Sequence, residues 1–197
     1  MTSEKNNLNT EVAENKPDTS WQKAWNSQRE NLQIVIIALG LAILIRAFIA
    51  EPRFIPSDSM LPTLHIGDRV VVEKISYYLE SPKTGDIVVF SPPEQLQEQG
   101  FTQDQAFIKR IIGLPGQTVT VKKGLVYLND KALVEKYIAE PPQYQWGPYR
   151  VPENQYFVMG DNRNNSNDSS QWGFLPKQNI IGRAIVRFWP LGRIGKV

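Results

Sequence analysis

The chain has 197 residues, 41% of them hydrophobic, and its 22 Lys and Arg against 20 Asp and Glu leave a formal net charge of +2. That length is one domain's worth, and the near-balance of charge gives no electrostatic basis for nucleic-acid binding. Cysteine is absent, which excludes a disulfide framework, a thiolate metal site and a cysteine nucleophile.

Residues 1–31 are rich in Asn, Glu, Lys, Thr and Ser, a composition that predicts a disordered tail. Within it Ser20-Trp-Gln-Lys23 fits the Ser-x-x-Lys pattern of penicillin-binding enzymes, but the companion motifs are missing and the tetrad is set aside. Leu32 to Ala50 follows as 19 residues whose only polar members are Gln33 and Arg46. This is the length that crosses a hydrocarbon core of ~30 Å, and an uninterrupted apolar run from Ile34 to Ile45 offers a soluble domain no polar face. A transmembrane helix is predicted over 32–50, with Arg46 snorkelling to the interface. Lys23 and Arg29 before the span are nearly balanced by Arg46 and Arg53 after it, so charge leans only slightly towards a cytoplasmic N terminus.

Beyond residue 50 lie 13 of the 14 prolines, too many for long helices. Short β-rich runs recur between turn signals at Arg69 to Val72, Ile87 to Phe90, Phe107 to Ile112, Thr118 to Val121, Leu125 to Leu128, Tyr156 to Met159 and Ile180 to Phe188. Lys122-Lys-Gly124 and Asn129-Asp130 read as hairpin turns. The expected fold is mainly β, an antiparallel domain over 51–197 behind one N-terminal membrane helix, with a small hairpin-rich excursion at about 114–156.

Ser59 follows the apolar run by nine residues, a reach of at most ~30 Å when extended. Whatever it does, it does near the bilayer. A serine hydroxyl needs a base, usually histidine. The one histidine, His65, lies six residues on in a turn and reads as structural. A lysine can serve instead if its pKa falls from ~10.4 towards 7, a cost of about 4 to 5 kcal/mol that burial can impose. As a strand, Phe107 to Ile112 places Lys109 with Phe107 and Ile111, and Arg110 on the other face with Ile108 and Ile112. One basic group must therefore sit among apolar side chains. By itself this pattern fits a snorkelling surface lysine at least as well as a catalytic base.

A resemblance carries the reading further. Pro56-Ser-Asp-Ser-Met-Leu-Pro-Thr-Leu64 with Gly67-Asp68, Gly85-Asp-Ile-Val-Val-Phe90, Ile108-Lys-Arg-Ile-Ile-Gly-Leu-Pro-Gly116, and Met159-Gly-Asp-Asn-Arg163 with Asn165-Ser166 and Asp168-Ser169 resemble the ordered boxes of bacterial type I signal peptidases. The resemblance implies a Ser/Lys endopeptidase that removes signal peptides from secretory precursors outside the cytoplasm. Ser59 would be the nucleophile and Lys109 the general base, with Ser166 holding the lysine by a hydrogen bond. The Ser57 hydroxyl and the Ser59 amide would form the oxyanion hole, worth ~3 to 4 kcal/mol per donor. Asp161, Arg163 and Asp168, with Arg110, would be the charged framework. No metal or organic cofactor is implied. The substrate would be an extended peptide with small residues at the first and third positions before the cut, and Ile55, Pro56, Met60, Val89 and Ile108 are the candidates for lining its shallow apolar pockets. Trp172, Phe174, Phe188 and Trp189 are candidates for a membrane-interface belt, although Trp189 reads more simply as packed.

Three positions depart from the family pattern. Asn164 stands where aspartate is frequent, Asp58 replaces the glycine of one branch of the family at a position that tolerates variation, and Ser170 stands where an arginine usually follows the Asp-Ser pair. The last removes the expected ion partner of Asp168 and would shift that burden to Arg163. A calcium loop starting at Asp161 is disfavoured, because Arg163 falls where a ligand oxygen is required and no glycine falls at the sixth position. Two other functions compete. A self-cleaving repressor-type protease shares the dyad but normally carries a DNA-binding domain, whereas this N terminus is a polar tail and a span. An inactive membrane-tethered β binding module would not need Ser59, Lys109 and Ser166 intact.

Overall fold

The computed structural model describes residues 20–197. Helix α1 spans Ser20–Leu44 and runs directly into a π-helical turn at Ile45–Ile49. Its Asn31–Ile49 stretch has a mean hydropathy of 2.6 and is the one helix among the described residues long and apolar enough to cross a membrane. Every residue from 31 to 49 is exposed, the reverse of a core helix in a soluble domain. The expected tail over 1–31 needs correction at its second part. Residues 1–19 lie outside the described residues, and residues 20–31 are helical. Once the apolar run has nucleated a helix, Gln, Lys, Ala, Arg and Glu extend it at little cost.

Twelve strands follow: β1 (Ala50–Phe54), β2 (Arg69–Glu73), β3 (Ile87–Phe90), β4 (Phe107–Gly113), β5 (Thr118–Lys122), β6 (Leu125–Leu128), β7 (Lys131–Ala132), β8 (Trp146–Arg150), β9 (Gln155–Met159), β10 (Leu175–Pro176), β11 (Ile180–Trp189) and β12 (Gly195–Lys196). Three short helices interrupt them, α2 (Ser76–Leu79), α3 (Glu94–Glu98) and α4 (Ser169–Trp172). The large sheet runs β1-β2-β11-β3-β4-β9-β10 with β12 beside β11, and the small one runs β7-β6-β5-β8. Every pairing is antiparallel. The small sheet occupies residues 118–150. Its two predicted turns place Lys123 and Gly124, then Asn129 and Asp130, at positive φ, as two-residue hairpins with the right twist require.

All seven predicted strands are present within a residue or two of their expected ends. The strands not anticipated carry weak signals. β1 reads AEPRF and β8 reads WGPYR, each with a proline, and each lies at the outer end of its sheet, where a missing amide costs no ladder bond. β7, β10 and β12 are two residues long.

The centre of the large sheet is buried on both faces. All four residues of β3 are buried, with Ile87 and Val89 in one apolar cluster and Val88 and Phe90 in another. Neighbouring β4 contributes Ile108 to the first, Ile111 to the second and Ile112 to a third that joins the small sheet. Each such fully buried side chain contributes about 1.5–3 kcal/mol. Lys109 and Arg110 thus occupy the middle of a strand at which three cores meet, and both are buried, not one of the two.

Candidate active site

The turn that carries Ser59 is held from below and from the side. Ser57 is extended, and Asp58–Met60 forms a 3-10 turn closed by the Leu61 amide donating to Asp58 O. Met60 and Leu64, both 0% exposed, root the turn in the first apolar cluster. From the 160s loop the Asn162 amide donates to Ser59 O at 3.1 Å and its side chain to Asp58 O at 3.2 Å. Gly160 is required at this approach: a Cβ there would stand 2.3 Å from Ser59 O and 2.3 Å from Ser166 Oγ.

Strand β4 brings Lys109 to the same point from 50 residues away. Its Nζ donates to Ser59 Oγ at 2.8 Å and to Ile108 O at 3.0 Å. The side chain is 3% exposed. Burial lowers its pKa from the usual range to about 8, against the opposing fields of Asp168 and Asp161, which favour the ammonium. An amine in that state, once neutral, can accept the Ser59 proton across the same 2.8 Å contact. His65 is exposed, and the contact to Ser59 Oγ is made by Lys109. Ser57 Oγ lies 3.3 Å from Ser59 Oγ.

Ser166 does not do what was expected of it. Its Oγ is buried without a hydrogen-bond partner, while the two contacts of the lysine go to Ser59 and Ile108. The loop packs Ser166 against Gly160 instead, where a Cβ would stand 2.3 Å from its Oγ.

On the other face of β4, Arg110 forks onto Asp161 with Nε to Oδ1 at 2.8 Å and Nη2 to Oδ2 at 2.6 Å, and Nη1 donates to Gly85 O at 2.8 Å. Thr63 Oγ1 also donates to Asp161. The expected support of Arg110 and Asp161 is therefore one bidentate pair, satisfied on every oxygen. Arg163 differs from expectation. It does not replace the lost partner of Asp168; both of its terminal nitrogens bond Glu135, and its Nε reaches Gly160 O. Asp168 instead takes the Gly160 amide at 2.9 Å and the Ser170 amide and hydroxyl at 3.0 and 2.8 Å, capping α4. Three neutral donors around the carboxylate stand where an arginine was expected.

Glu135 and Tyr137, from the segment after β7, were not anticipated. The Tyr137 hydroxyl donates to Glu135 Oε1 at 2.6 Å, and its ring lies 4.1 Å from the Arg110 guanidinium and 5.9 Å from that of Arg163. No local pattern marks them, since their meaning depends on a pairing 28 residues away in sequence. Asn164 uses both ends of its amide, accepting from the Gln143 amide at 2.9 Å and donating to Pro141 O at 3.1 Å.

Three adjoining cavities run past the nucleophile. One of about 250 Å³ lies between residues 53–56 and Val89, Ala106, Phe107 and Ile108. It shares Pro56, Ala106, Phe107 and Ile108 with a second of about 340 Å³, which reaches Ser57, Ser59 and Lys109. A third, of about 420 Å³, starts at the same three residues and continues to Asp58, Ile66, Asn165 and Asn167. Ile55, Pro56, Val89 and Ile108 are therefore lining residues. Met60 is not: it is fully enclosed in the core. Phe101, Ala106 and Phe107 line the cavities and were missed. Of the proposed aromatic belt, Trp172 is buried and Phe174 packs on the third cluster, whereas Trp189, expected to be packed, is 47% exposed.

The family described as "Signal peptidase, peptidase S26" matches residues 28–189. "Probable signal peptidase I-1" of Synechocystis sp. is 61% identical over 173 residues, 88% of this chain and 88% of that one. "Signal peptidase I" of Leptolyngbya laminosa is 50% identical over 197 residues, 100% of this chain and 97% of that one. "Signal peptidase I" of Bacillus licheniformis is 39% identical over 182 residues, 87% of this chain and 94% of that one. A serine and a desolvated lysine in contact, on an antiparallel sheet behind an apolar helix and within a match of this extent, leave one assignment: the chain belongs to the signal peptidase, peptidase S26, family.

Proposed function

We propose that this chain is a membrane-anchored serine endopeptidase that removes N-terminal signal peptides from secretory precursors with a Ser59/Lys109 dyad, its N terminus cytoplasmic and its catalytic domain on the extracytoplasmic face. The observation that carries the reading is the 2.8 Å contact between Lys109 Nζ and Ser59 Oγ in a site that lowers the lysine pKa to about 8. The neutral amine takes the Ser59 proton as Oγ bonds to the scissile carbonyl carbon. Charge then collects on the carbonyl oxygen, which the Ser57 hydroxyl and Ser59 amide stabilise. The ammonium returns the proton to the leaving nitrogen as the C–N bond breaks, and a water activated by the same amine hydrolyses the acyl-enzyme. Arg110, Asp161, Arg163 and Asp168 act at a distance, by fixing the strand and loop that carry these groups. The signal segment lies extended in the apolar cavities between residues 53–56 and 106–108, where shallow walls suit small side chains.

The test is cleavage of a secretory precursor by the detergent-solubilised chain. Ser59→Ala and Lys109→Ala should each abolish cutting at the correct bond while circular dichroism is unaltered. Correct cutting that persists in either variant overturns the dyad.

A further inference from the structure

The cavities on the two sides of Ser59 differ in chemistry. Both begin at Ser57, Ser59 and Lys109 and are flanked by the edge-to-face pair Phe101 and Phe107, whose centroids are 5.0 Å apart. On one side the lining continues through Pro56, Ala106 and Ile108. On the other it continues through Asp58, Asn165 and Asn167, with one aliphatic side chain, Ile66, and all four are exposed. The Asp58 side chain has no hydrogen bond or ion pair among the described residues, although its backbone oxygen is held twice, by the Leu61 amide and by Asn162 Nδ2. Besides Lys109, buried at the junction, it is the only ionisable group in that lining. The adjacent carboxylates, Asp161 and Asp168, are by contrast consumed by internal donors.

Resting on the proposed function, direction follows from substrate chemistry. The part of a precursor before the cut is apolar and small, and fits the Pro56, Ala106 and Ile108 side. The part after the cut is the start of a soluble chain and must leave through the polar side. We propose that the cavity of Asp58, Asn165 and Asn167 holds the first residues after the scissile bond, and that Asp58 is a specificity residue favouring cationic over acidic side chains there. The backbone of Asp58, held at its carbonyl oxygen, keeps the residue in the cavity lining with its carboxylate unpaired, and the two asparagines offer amide donors and acceptors to the peptide backbone. The site is wet, so the discrimination is modest: one charge at contact distance in solvent corresponds to roughly a three- to tenfold ratio of rates.

Three peptides sharing one signal segment and differing only at the second position after the cut, as Lys, Gln or Glu, test this at low ionic strength. Within the parent enzyme kcat/KM should fall in the order Lys, Gln, Glu, with the spread mainly in KM, and should narrow in about 0.5 M salt, where charges beyond a few ångströms are screened. In Asp58→Asn the three values should converge, and in Asp58→Lys the order should reverse. Comparing peptides within each enzyme removes any effect of the substitution on folding or on the chemical step. A parent enzyme that cuts the Gln peptide but treats all three alike, or an order that survives in Asp58→Asn, overturns the proposal while leaving the proposed function standing. Failure of the parent to cut the Gln peptide overturns both.

Discussion

The two faces of β4 treat two adjacent cations in opposite ways. Arg110 is 8% exposed and surrounded by acceptors, with both oxygens of Asp161, the Gly85 carbonyl and the ring of Tyr137 around one guanidinium. Lys109 is 3% exposed and has one hydroxyl and one carbonyl. The first face compensates desolvation with a carboxylate, a carbonyl and a ring; the second withholds a carboxylate contact, and burial lowers the lysine pKa, the condition the proposed base requires. Burial alone is common to both. What separates scaffold from catalyst is how completely the buried charge is paired.

The strongest way to break this comparison is to remove each cation in turn. Lys109→Met should reduce kcat/KM by at least about a thousandfold, yet raise the melting temperature at neutral pH. The sign follows from the lysine pKa, about 8 folded and about 10.4 unfolded. The unfolded chain binds the proton more tightly, so stability rises between those values, and below pH 8 the folded state carries a penalty of about 3 kcal/mol that methionine removes. Lowered melting at pH 7 would contradict it. Arg110→Met should do the reverse, stranding Asp161 and costing about 3–5 kcal/mol in urea unfolding. Arg110→Lys should recover only part of this, because an ammonium cannot span both oxygens.

A subtler change sharpens the same contrast. For the parent enzyme kcat/KM should rise tenfold per pH unit and level off near pH 8, where the amine becomes neutral. Asp168 is the larger of the two fields holding the proton on Lys109, so Asp168→Asn should move that bend to lower pH. An unmoved or raised bend would show that the carboxylate does not act on the amine. Smallest of all, Asn164→Asp, the residue frequent in relatives by resemblance, loses the donor to Pro141 O and should cost under about 1 kcal/mol in the same urea assay.

Sequence patterns revealed the fold wherever burial imposes a repeat. β3 and β4 are interior strands of near-continuous apolar character, and the hairpins of the small sheet are announced by residues suited to positive φ. Edge strands with proline, such as β1 and β8, lack that repeat and were missed. Ser59, Lys109, Arg110 and Asp161 were identifiable because they fall in boxes whose order resembles a family. Lining residues were divided less well: Met60 and Ile55 look alike in sequence, and only the turn at Asp58–Met60 decides that the first points into the core. The partner of Arg163 was hidden for a different reason. A long-range ion pair leaves no periodicity, and Ser166, placed correctly in the loop, was assigned a bond that the lysine makes elsewhere.

Tyr137 lies over the guanidinium of one β4 residue and near that of a residue in the loop beside the nucleophile, while its hydroxyl engages the acid that grips the second. The excursion is thus stitched to the loop beside Ser59 by one phenol and one carboxylate, in addition to the amide of Asn164 and the shared apolar cluster. A chimaera that imported this sheet from a relative would have to bring matching stitches or lose the alignment of the loop, so the excursion is free to diverge at its turns but not along the seam.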